Sequence, residues 1–130
     1  MNVDSKLKGC LFCQNEKLKV VKESNLFYII YDEFPVTKYH TLIIPKRHVK
    51  TYFDLNKEEI LACDRYLRDM KQEIQQADPL VTSFNIGMNC GEESGQTIMH
   101  CHIHLIPRRK GDMKIPRGGV RGVIPGKQSY

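Results

Sequence analysis

Three histidines alternate with other residues in one short segment, and this pattern constrains the fold more than any other feature. They are His100, His102 and His104, and the positions between and after them carry Cys101, Ile103 and Leu105. Because side chains alternate between the two faces of a β-strand, the pattern predicts a strand whose three imidazoles share one face, about 6.6 Å apart. Imidazoles bind metals as the neutral ring and act as nucleophiles or proton carriers. Since the chain has only five histidines in 130 residues, the cluster predicts a functional site.

Length and composition predict a single globular domain. A chain of 130 residues, 41% hydrophobic and 27% charged, can bury a core without disulfides. The net charge of +5 suits anionic partners such as phosphates, while the aromatic and basic residues do not interleave as in single-stranded nucleic-acid sites. Neither a signal peptide in Met1–Lys19 nor an apolar stretch of about 20 residues is present. We therefore expect a cytoplasmic protein that needs neither membrane nor nucleic acid, with its five cysteines as thiols or metal ligands.

The order of apolar runs predicts an α+β fold. Strands are predicted at Leu26–Tyr31, Thr41–Ile44 and Val81–Met88. One long helix is predicted over Leu55–Ala77, with Asn56 as its N-cap. Six residues recur along it at roughly helical spacing: Ile60, Leu61, Asp64, Leu67, Met70 and Ile74. We expect an antiparallel sheet packed against this helix.

The C-terminal segment differs in composition from the rest. Glycines and prolines interrupt any regular pattern after Gly111, while Arg117, Arg121 and Lys127 keep the segment basic. We predict a domain over residues 1–110 and a basic tail over residues 111–130. This tail either belongs to the same domain or reaches across a dimer.

A C-x-x-C pair indicates a metal site near the N-terminus. Cys10 and Cys13 have the spacing of half a tetrahedral zinc site, and His48 and His100 are the best remaining ligands. Such a Cys2His2 set leaves no open position, so it predicts one structural zinc per chain. A thioredoxin-like redox pair and two unliganded surface thiols remain as alternatives.

The turn before the histidines carries uncharged donors. Gly95 permits close approach of a ligand, and the Gln96 amide and the Thr97 hydroxyl could hold phosphate oxygens. A three-histidine catalytic metal site is excluded, because the outer imidazoles of one strand lie about 13 Å apart. A two-histidine metal site stays open, although it would leave Gln96, Thr97 and Asp32 without a role.

Several segments together resemble a known superfamily. Gly95–Arg108 resembles the signature of the histidine triad (HIT) nucleotide hydrolases and transferases. Tyr31-Asp32 with His40–Lys46 resembles their ribose-binding stretch and the strand after it, and Asn85–Asn89 resembles the segment before the glycine-rich turn. Pro116–Pro125 resembles a tail found in some bacterial and archaeal members. The resemblance implies a HIT-like sheet of about five strands and a homodimer joined through the main-helix side.

The resemblance also implies roles for individual residues. His102 would attack the α-phosphorus of a nucleotide and form a covalent intermediate that water hydrolyses. His104, Gln96 and Thr97 would stabilise the transferring phosphoryl group. The remaining nucleotide contacts would come from Asp32 at the ribose, His40, Asn85 and Asn89. Structural zinc would be held by Cys10, Cys13, His48 and His100.

The expected substrates are dinucleoside polyphosphates of the diadenosine tetraphosphate type. The basic tail favours them, since Arg117 or Arg121 could reach distal phosphates, and magnesium could accompany such a substrate. Phosphoramidates and sulfated nucleotides are alternatives within the same superfamily. A nucleotide-binding module with vestigial hydrolysis is an alternative of another class.

Overall fold

One antiparallel sheet and one α-helix form the framework of the described part of the chain, with short 3-10 helices in the connections. The computed structural model describes residues 9–130, so the first eight residues of the predicted domain lie outside the described residues. The elements in chain order are β1 (Val20–Glu23), β2 (Phe27–Tyr31), β3 (Thr41–Pro45), α1 (Lys57–Ala77), β4 (Val81–Gly87) and β5 (Ile103–Arg109). The strands pair antiparallel in the order β1-β2-β3-β5-β4. This confirms the predicted α+β architecture. None of the described helices combines the length and the apolar character that crossing a bilayer requires.

The central strands β2 and β3 are apolar because both of their faces are covered. Ile29 pairs with Ile43 and Tyr28 with Ile44, and all four side chains are buried. A strand buried on both faces appears in sequence as a continuous apolar run, which explains why both strands were predictable. The edge strand β1 was not predicted, because its four residues alternate between half-buried and exposed positions.

Helix α1 begins where the sequence predicts and packs on one face of the sheet. The Asn56 side chain accepts from the Glu59 amide, and the Glu59 carboxylate accepts from the Asn56 amide, which forms a capping box. Cys63, Met70 and Ile74 are its buried apolar residues and pack in one cluster with β5. Of the residues that recur at helical spacing, Ile60 and Leu61 lie on the exposed side, and Leu61 is 63% exposed, whereas Glu59 and Cys63 are buried.

The histidine-bearing face is the opposite face of the sheet. Ile103 and Leu105 point toward α1, whereas Leu42, which pairs with His104, belongs to the second core cluster. That second cluster consists of Phe12, Tyr28, Ile30, Leu42 and Ile44. The sheet therefore separates the helix from the candidate chemistry.

The predicted histidine strand is shorter than its pattern suggested. Strand β5 begins at Ile103, so only His104 lies within it, while His100 and His102 precede it. The cause is a contact distant in sequence: the Cys101 amide donates to the Val49 carbonyl at 2.7 Å instead of joining the sheet ladder. The prediction that all three imidazoles share one strand is therefore wrong.

Candidate active site and metal centre

Four sulfur and nitrogen atoms converge at the N-terminal end of the histidine segment. The side chains are Cys10, Cys13, His48 and His100, and their potential ligand atoms all lie within 4.8 Å of one another. Cys13 Sγ lies 3.2 Å from His48 Nδ1 and 3.4 Å from His100 Nδ1, and the two Nδ1 atoms are 3.2 Å apart. A tetrahedral zinc site places such ligand atoms roughly 3.3–3.8 Å apart. The four residues therefore fit the ion in number, chemistry and spacing.

A hydrogen bond to a backbone carbonyl sets the tautomer of His100 that a metal ligand needs. Its Nε2 lies 2.7 Å from the carbonyl oxygen of Pro45, and because a carbonyl only accepts, Nε2 carries the hydrogen. The lone pair of the neutral ring is then at Nδ1, which faces the cysteines. Burial lowers the pKa of His100 to about 4, so the ring is neutral at physiological pH. A second partner of this kind is typical of metal-binding histidines.

A backbone carbonyl also fixes the tautomer of His102. Its Nδ1 lies 2.8 Å from the His100 carbonyl oxygen, so Nδ1 carries the hydrogen and Nε2 carries the lone pair. The Phe12 ring packs edge-on against the imidazole, with ring centroids 5.0 Å apart. Sequence reasoning missed Phe12, although its place between Cys10 and Cys13 was a usable signal. His102 is thus held from two sides with Nε2 free to react.

A chain of hydrogen bonds gives His104 the opposite tautomer. The Val36 amide donates to His40 Nδ1 at 3.0 Å, so the hydrogen of the neutral His40 ring is on Nε2. That Nε2 lies 2.9 Å from His104 Nδ1 and donates to it. His104 therefore carries its own hydrogen on Nε2. Burial is the main cause that lowers the pKa of His104 to about 4, aided by His102 and His40, and burial also lowers the pKa of His40.

The same tautomers argue against a second metal site. Asp32, His40 and His104 offer ligand atoms within 4.8 Å of one another. A metal at His40 Nε2 would force the ring hydrogen onto Nδ1, where it would oppose the Val36 amide hydrogen. Magnesium is also poorly suited, because it prefers oxygen ligands and this group holds one carboxylate. The open alternative of a two-histidine metal site and the expectation of magnesium thus gain no support here.

Asp32 lies at the start of the β2–β3 loop, beside His40. Its amide donates to the His40 carbonyl at 2.8 Å, and its Oδ2 lies 3.5 Å from His40 Nε2. Oδ1 accepts from the Phe34 amide. The carboxylate is partly exposed, so the side chain expected at the ribose sits at the rim of the histidine site.

Gln96 does not have the free amide that the sequence suggested. It is 3% exposed, and its Nε2 donates to the carbonyls of Lys50 at 2.6 Å and Ile98 at 3.1 Å. Its Oε1 accepts from the Gly91 amide at 2.9 Å. Both amide hydrogens are occupied by backbone acceptors, so Gln96 has no donor left for a phosphate. Thr97 is exposed and keeps a hydroxyl at the site's edge.

The C-terminal tail folds back onto the histidine side of its own chain. Asn85 on β4 pairs with Ile106 and accepts from the Arg108 guanidinium at 2.7 Å. Gly119 packs over the Asn85 amide, where an added Cβ would come within 3.3 Å of Nδ2. Asn89 follows β4 in the segment that leads to the Gly91 turn. The expected phosphate-side residue Asn85 therefore supports the tail as well.

Two arginines of the tail converge on its final residue. The guanidinium carbons of Arg117 and Arg121 lie 4.6 Å and 5.0 Å from the centre of the Tyr130 ring. Neither guanidinium is paired with a carboxylate within residues 9–130. The tail thus presents two positive charges at one place.

Comparisons with known proteins agree with this geometry. The profile of the HIT domain family matches residues 14–111. An uncharacterized HIT-like protein of Methanocaldococcus jannaschii is 31% identical over 115 residues, which cover 85% of this chain and 87% of that protein. A bis(5'-nucleosyl)-tetraphosphatase of Schizosaccharomyces pombe is 37% identical over 78 residues, 60% of this chain and 42% of that one. An adenylylsulfatase of Arabidopsis thaliana is 33% identical over 108 residues, with coverages of 79% and 54%.

Solved structures show the same likeness. A HIT family protein from Bacillus anthracis superposes with a TM-score of 0.74 at 33% identity, covering 81% of this chain and 77% of that chain. A zinc-bound histidine triad family protein from Mycobacterium smegmatis gives a TM-score of 0.73 at 30% identity, with coverages of 80% and 78%. The chain belongs to the HIT domain family.

Proposed function

We propose that the protein is a nucleotide hydrolase that reacts at the α-phosphate through a covalent nucleotidyl-histidine at His102. The observation that carries the proposal is the pair of opposite tautomers on neighbouring rings, whose centroids are 5.3 Å apart. His102 offers a lone pair at Nε2, and His104 offers an N–H at Nε2. A nucleophile beside a neutral donor is the arrangement that phosphoryl transfer to nitrogen requires.

Each step follows from these two rings. Nε2 of His102 forms a bond to the α-phosphorus while the bond from phosphorus to the leaving-group oxygen breaks, and the leaving group takes the electron pair. The positive charge of the substituted imidazole is stabilised by the His100 carbonyl, which accepts from Nδ1–H at 2.8 Å. His104 donates to a phosphoryl oxygen. Water then attacks phosphorus, the N–P bond breaks, its electrons return to Nε2, and the proton of the water passes to solvent.

The Cys2His2 cluster has a separate part in this proposal. When bound, zinc supplies a closed tetrahedral anchor rather than a reactive centre, because the four protein ligands leave no position for water. The chain's own contribution is the His100 residue, whose ring would be a ligand and whose carbonyl orients His102. We propose one zinc per chain at Cys10, Cys13, His48 and His100.

The test is detection of the covalent intermediate. Wild type, His102→Asn and the control Arg65→Gln, exposed on α1, are incubated with diadenosine tetraphosphate labelled at the α-phosphate. Wild type and the control should form an acid-labile adduct and turn over, and His102→Asn should lose at least about 10³-fold in turnover while keeping nucleotide affinity. Unchanged turnover in His102→Asn would refute the assignment. An adduct without turnover would favour the binding module with vestigial hydrolysis.

For the substrate we propose dinucleoside polyphosphates. One relative is named as a tetraphosphatase and another as an adenylylsulfatase, so related chains act on different leaving groups. The tail favours the longer leaving group in this chain. Arg117 and Arg121 converge at Tyr130. Gly119, which lies between the two arginines in sequence, packs against Asn85, the residue expected on the phosphate side. Their charges would bind distal phosphates. Phosphoramidates, which carry no distal phosphate, remain the alternative substrates.

A charge-matched comparison separates these substrates. Arg117→Gln/Arg121→Gln should raise KM for diadenosine tetraphosphate about tenfold and leave KM for an adenosine phosphoramidate within about twofold. Lys114→Gln/Lys127→Gln removes the same charge from the same tail and serves as the control. Equal effects of both pairs, or equal effects on both substrates, would contradict a role of the arginines at distal phosphates.

We also propose that two copies associate through the helix side. The exposed Leu61 and Ile60 on α1 form an apolar surface for this contact. Light scattering should give a dimer for wild type and a monomer for Leu61→Lys, and a wild-type monomer at 100 µM would contradict the proposal.

A further inference from the structure

Gln96 connects two segments that are distant in sequence and that serve different parts of the site. Its own segment, Gly91–Ile98, is the turn that presents Thr97. The other segment contains His48, Val49 and Lys50, and its Lys50 carbonyl accepts the shortest of the Gln96 hydrogen bonds, at 2.6 Å. A buried amide whose hydrogen bonds all go to backbone groups fixes the relative position of those groups.

The segment that Gln96 holds is the one that carries a candidate zinc ligand. His48 Nδ1 lies 3.2 Å from both Cys13 Sγ and His100 Nδ1. The next residue, Val49, accepts from the Cys101 amide at 2.7 Å, and the residue after it bonds Gln96. A shift of His48 would therefore be transmitted to Gln96 through two consecutive carbonyls.

The two segments also border the same cleft. A cavity of about 410 Å³ is lined by Cys10 and His48 together with Thr97, Ile98 and Met99. The hydrogen bond from Gln96 Nε2 to the Lys50 carbonyl joins the segment of His48 to the turn that presents Thr97 at this cleft.

We infer that Gln96 is a positioning residue that couples the candidate zinc ligand His48 to the phosphate-facing Thr97, and that it does not itself bind phosphate. Metal bound at the Cys2His2 cluster would hold His48, and with it the Lys50 carbonyl. Gln96 would hold its own turn at a fixed distance from that carbonyl. Thr97, which follows Gln96 in the turn, would thereby be held at the nucleotide. The inference rests on the proposed function for the nucleotide that Thr97 faces. By linkage, AMP must strengthen zinc binding by the same factor by which zinc strengthens AMP binding.

The test uses zinc-loaded proteins and two readouts that are independent of turnover. Zinc release to a colorimetric chelator and the Kd of AMP are measured for wild type, Gln96→Met, Thr97→Val and Ile74→Val. Gln96→Met keeps the side-chain length and removes all three hydrogen bonds. Thr97→Val alters only the neighbouring hydroxyl, and Ile74→Val controls for a general loss of stability in the helix core.

The expected pattern differs for each variant. Gln96→Met should release zinc about tenfold faster although residue 96 touches no ligand, it should bind AMP more weakly, and AMP should no longer slow its zinc release. Thr97→Val should weaken AMP binding and leave zinc release unchanged. Ile74→Val should change neither readout.

Four outcomes would overturn the inference. Weaker AMP binding by Gln96→Met with unchanged zinc release would identify Gln96 as a direct phosphate ligand. Equal acceleration of zinc release in Gln96→Met and Ile74→Val would show that the faster release comes from a general loss of folding stability. Absence of AMP binding to every protein, wild type included, would refute the proposed function together with the coupling, whereas AMP binding that does not slow zinc release in wild type would refute the coupling alone.

Discussion

Replacing His104 should flatten the dependence of stability on acid pH. The pKa of His104 is lowered from 6.5 to about 4, chiefly by burial. The unfolded chain therefore takes up a proton below pH 6.5 that the folded protein does not bind until about pH 4. Because the unfolded state binds more protons in this window, the free energy of unfolding falls as the pH decreases through it.

The magnitude follows from the two pKa values. At 1.36 kcal/mol per pKa unit, His104 alone should remove about 2.5 kcal/mol of stability between pH 7.5 and 4.5. His104→Gln removes this titration and keeps an oxygen that can accept from His40 Nε2. Between pH 7.5 and pH 4.5, the unfolding free energy of wild type should therefore fall by about 2.5 kcal/mol more than that of the variant.

Urea unfolding at several pH values measures this difference. Both proteins carry the same Cys2His2 cluster, so any acid-induced release of zinc affects both and cancels in the comparison. The remaining slope of the variant reports on other groups, including His40, whose pKa is also lowered. A difference that stays constant within about 0.5 kcal/mol would show that His104 titrates near its ordinary pKa, and the argument that it is a neutral donor would then fail.

Three further changes have defined outcomes. Arg47→Ala leaves the carboxylate of Glu59, which is 1% exposed, without its ion pair. Urea unfolding should show a loss of about 2 kcal/mol, less than for a fully buried pair because the Arg47 side chain is partly exposed; a loss below about 0.5 kcal/mol would contradict a buried carboxylate that depends on Arg47. Cys13→Ser should lower zinc, measured by plasma mass spectrometry, from one per chain to far below one, and a zinc-free wild type with reactive thiols would instead favour the redox alternative. Gly118→Ala should open the tail and speed tryptic cleavage there, because φ is +79° and the added Cβ would clash with the Gln128 carbonyl oxygen; an unchanged cleavage rate would show that the tail is already open.

The elements governed by local patterns were predictable from the sequence. Strands β2 and β3 differ from their predicted ranges by one residue at one end, because continuous apolar runs bounded by polar residues or proline leave few alternatives. The start of α1 was predictable because Asn56 and the acidic first turn form a local cap. Local signals were therefore sufficient for most of the sheet and for the helix.

The features decided by distant contacts were not predictable. The start of β5 depends on the Val49 carbonyl, 52 residues from Cys101, and nothing near the histidines indicates it. The role of Gln96 depends on Lys50 in the same way. The sequence placed Cys10 and Cys13 beside His48 and His100 through ligand chemistry. The tautomers of the rings required coordinates, because each depends on the local path of the backbone or on another ring, and residue types alone do not specify either.

Main-chain groups set the hydrogen position on three of the five imidazoles directly: the Pro45 carbonyl at His100, the His100 carbonyl at His102, and the Val36 amide at His40. Such partners are present whatever side chain occupies the position. Genetic drift at those positions therefore leaves the hydrogen-bonding groups in place as long as the backbone path is preserved. Evolution can vary the surroundings of the histidines to accept new leaving groups without having to rebuild the reactive nitrogen.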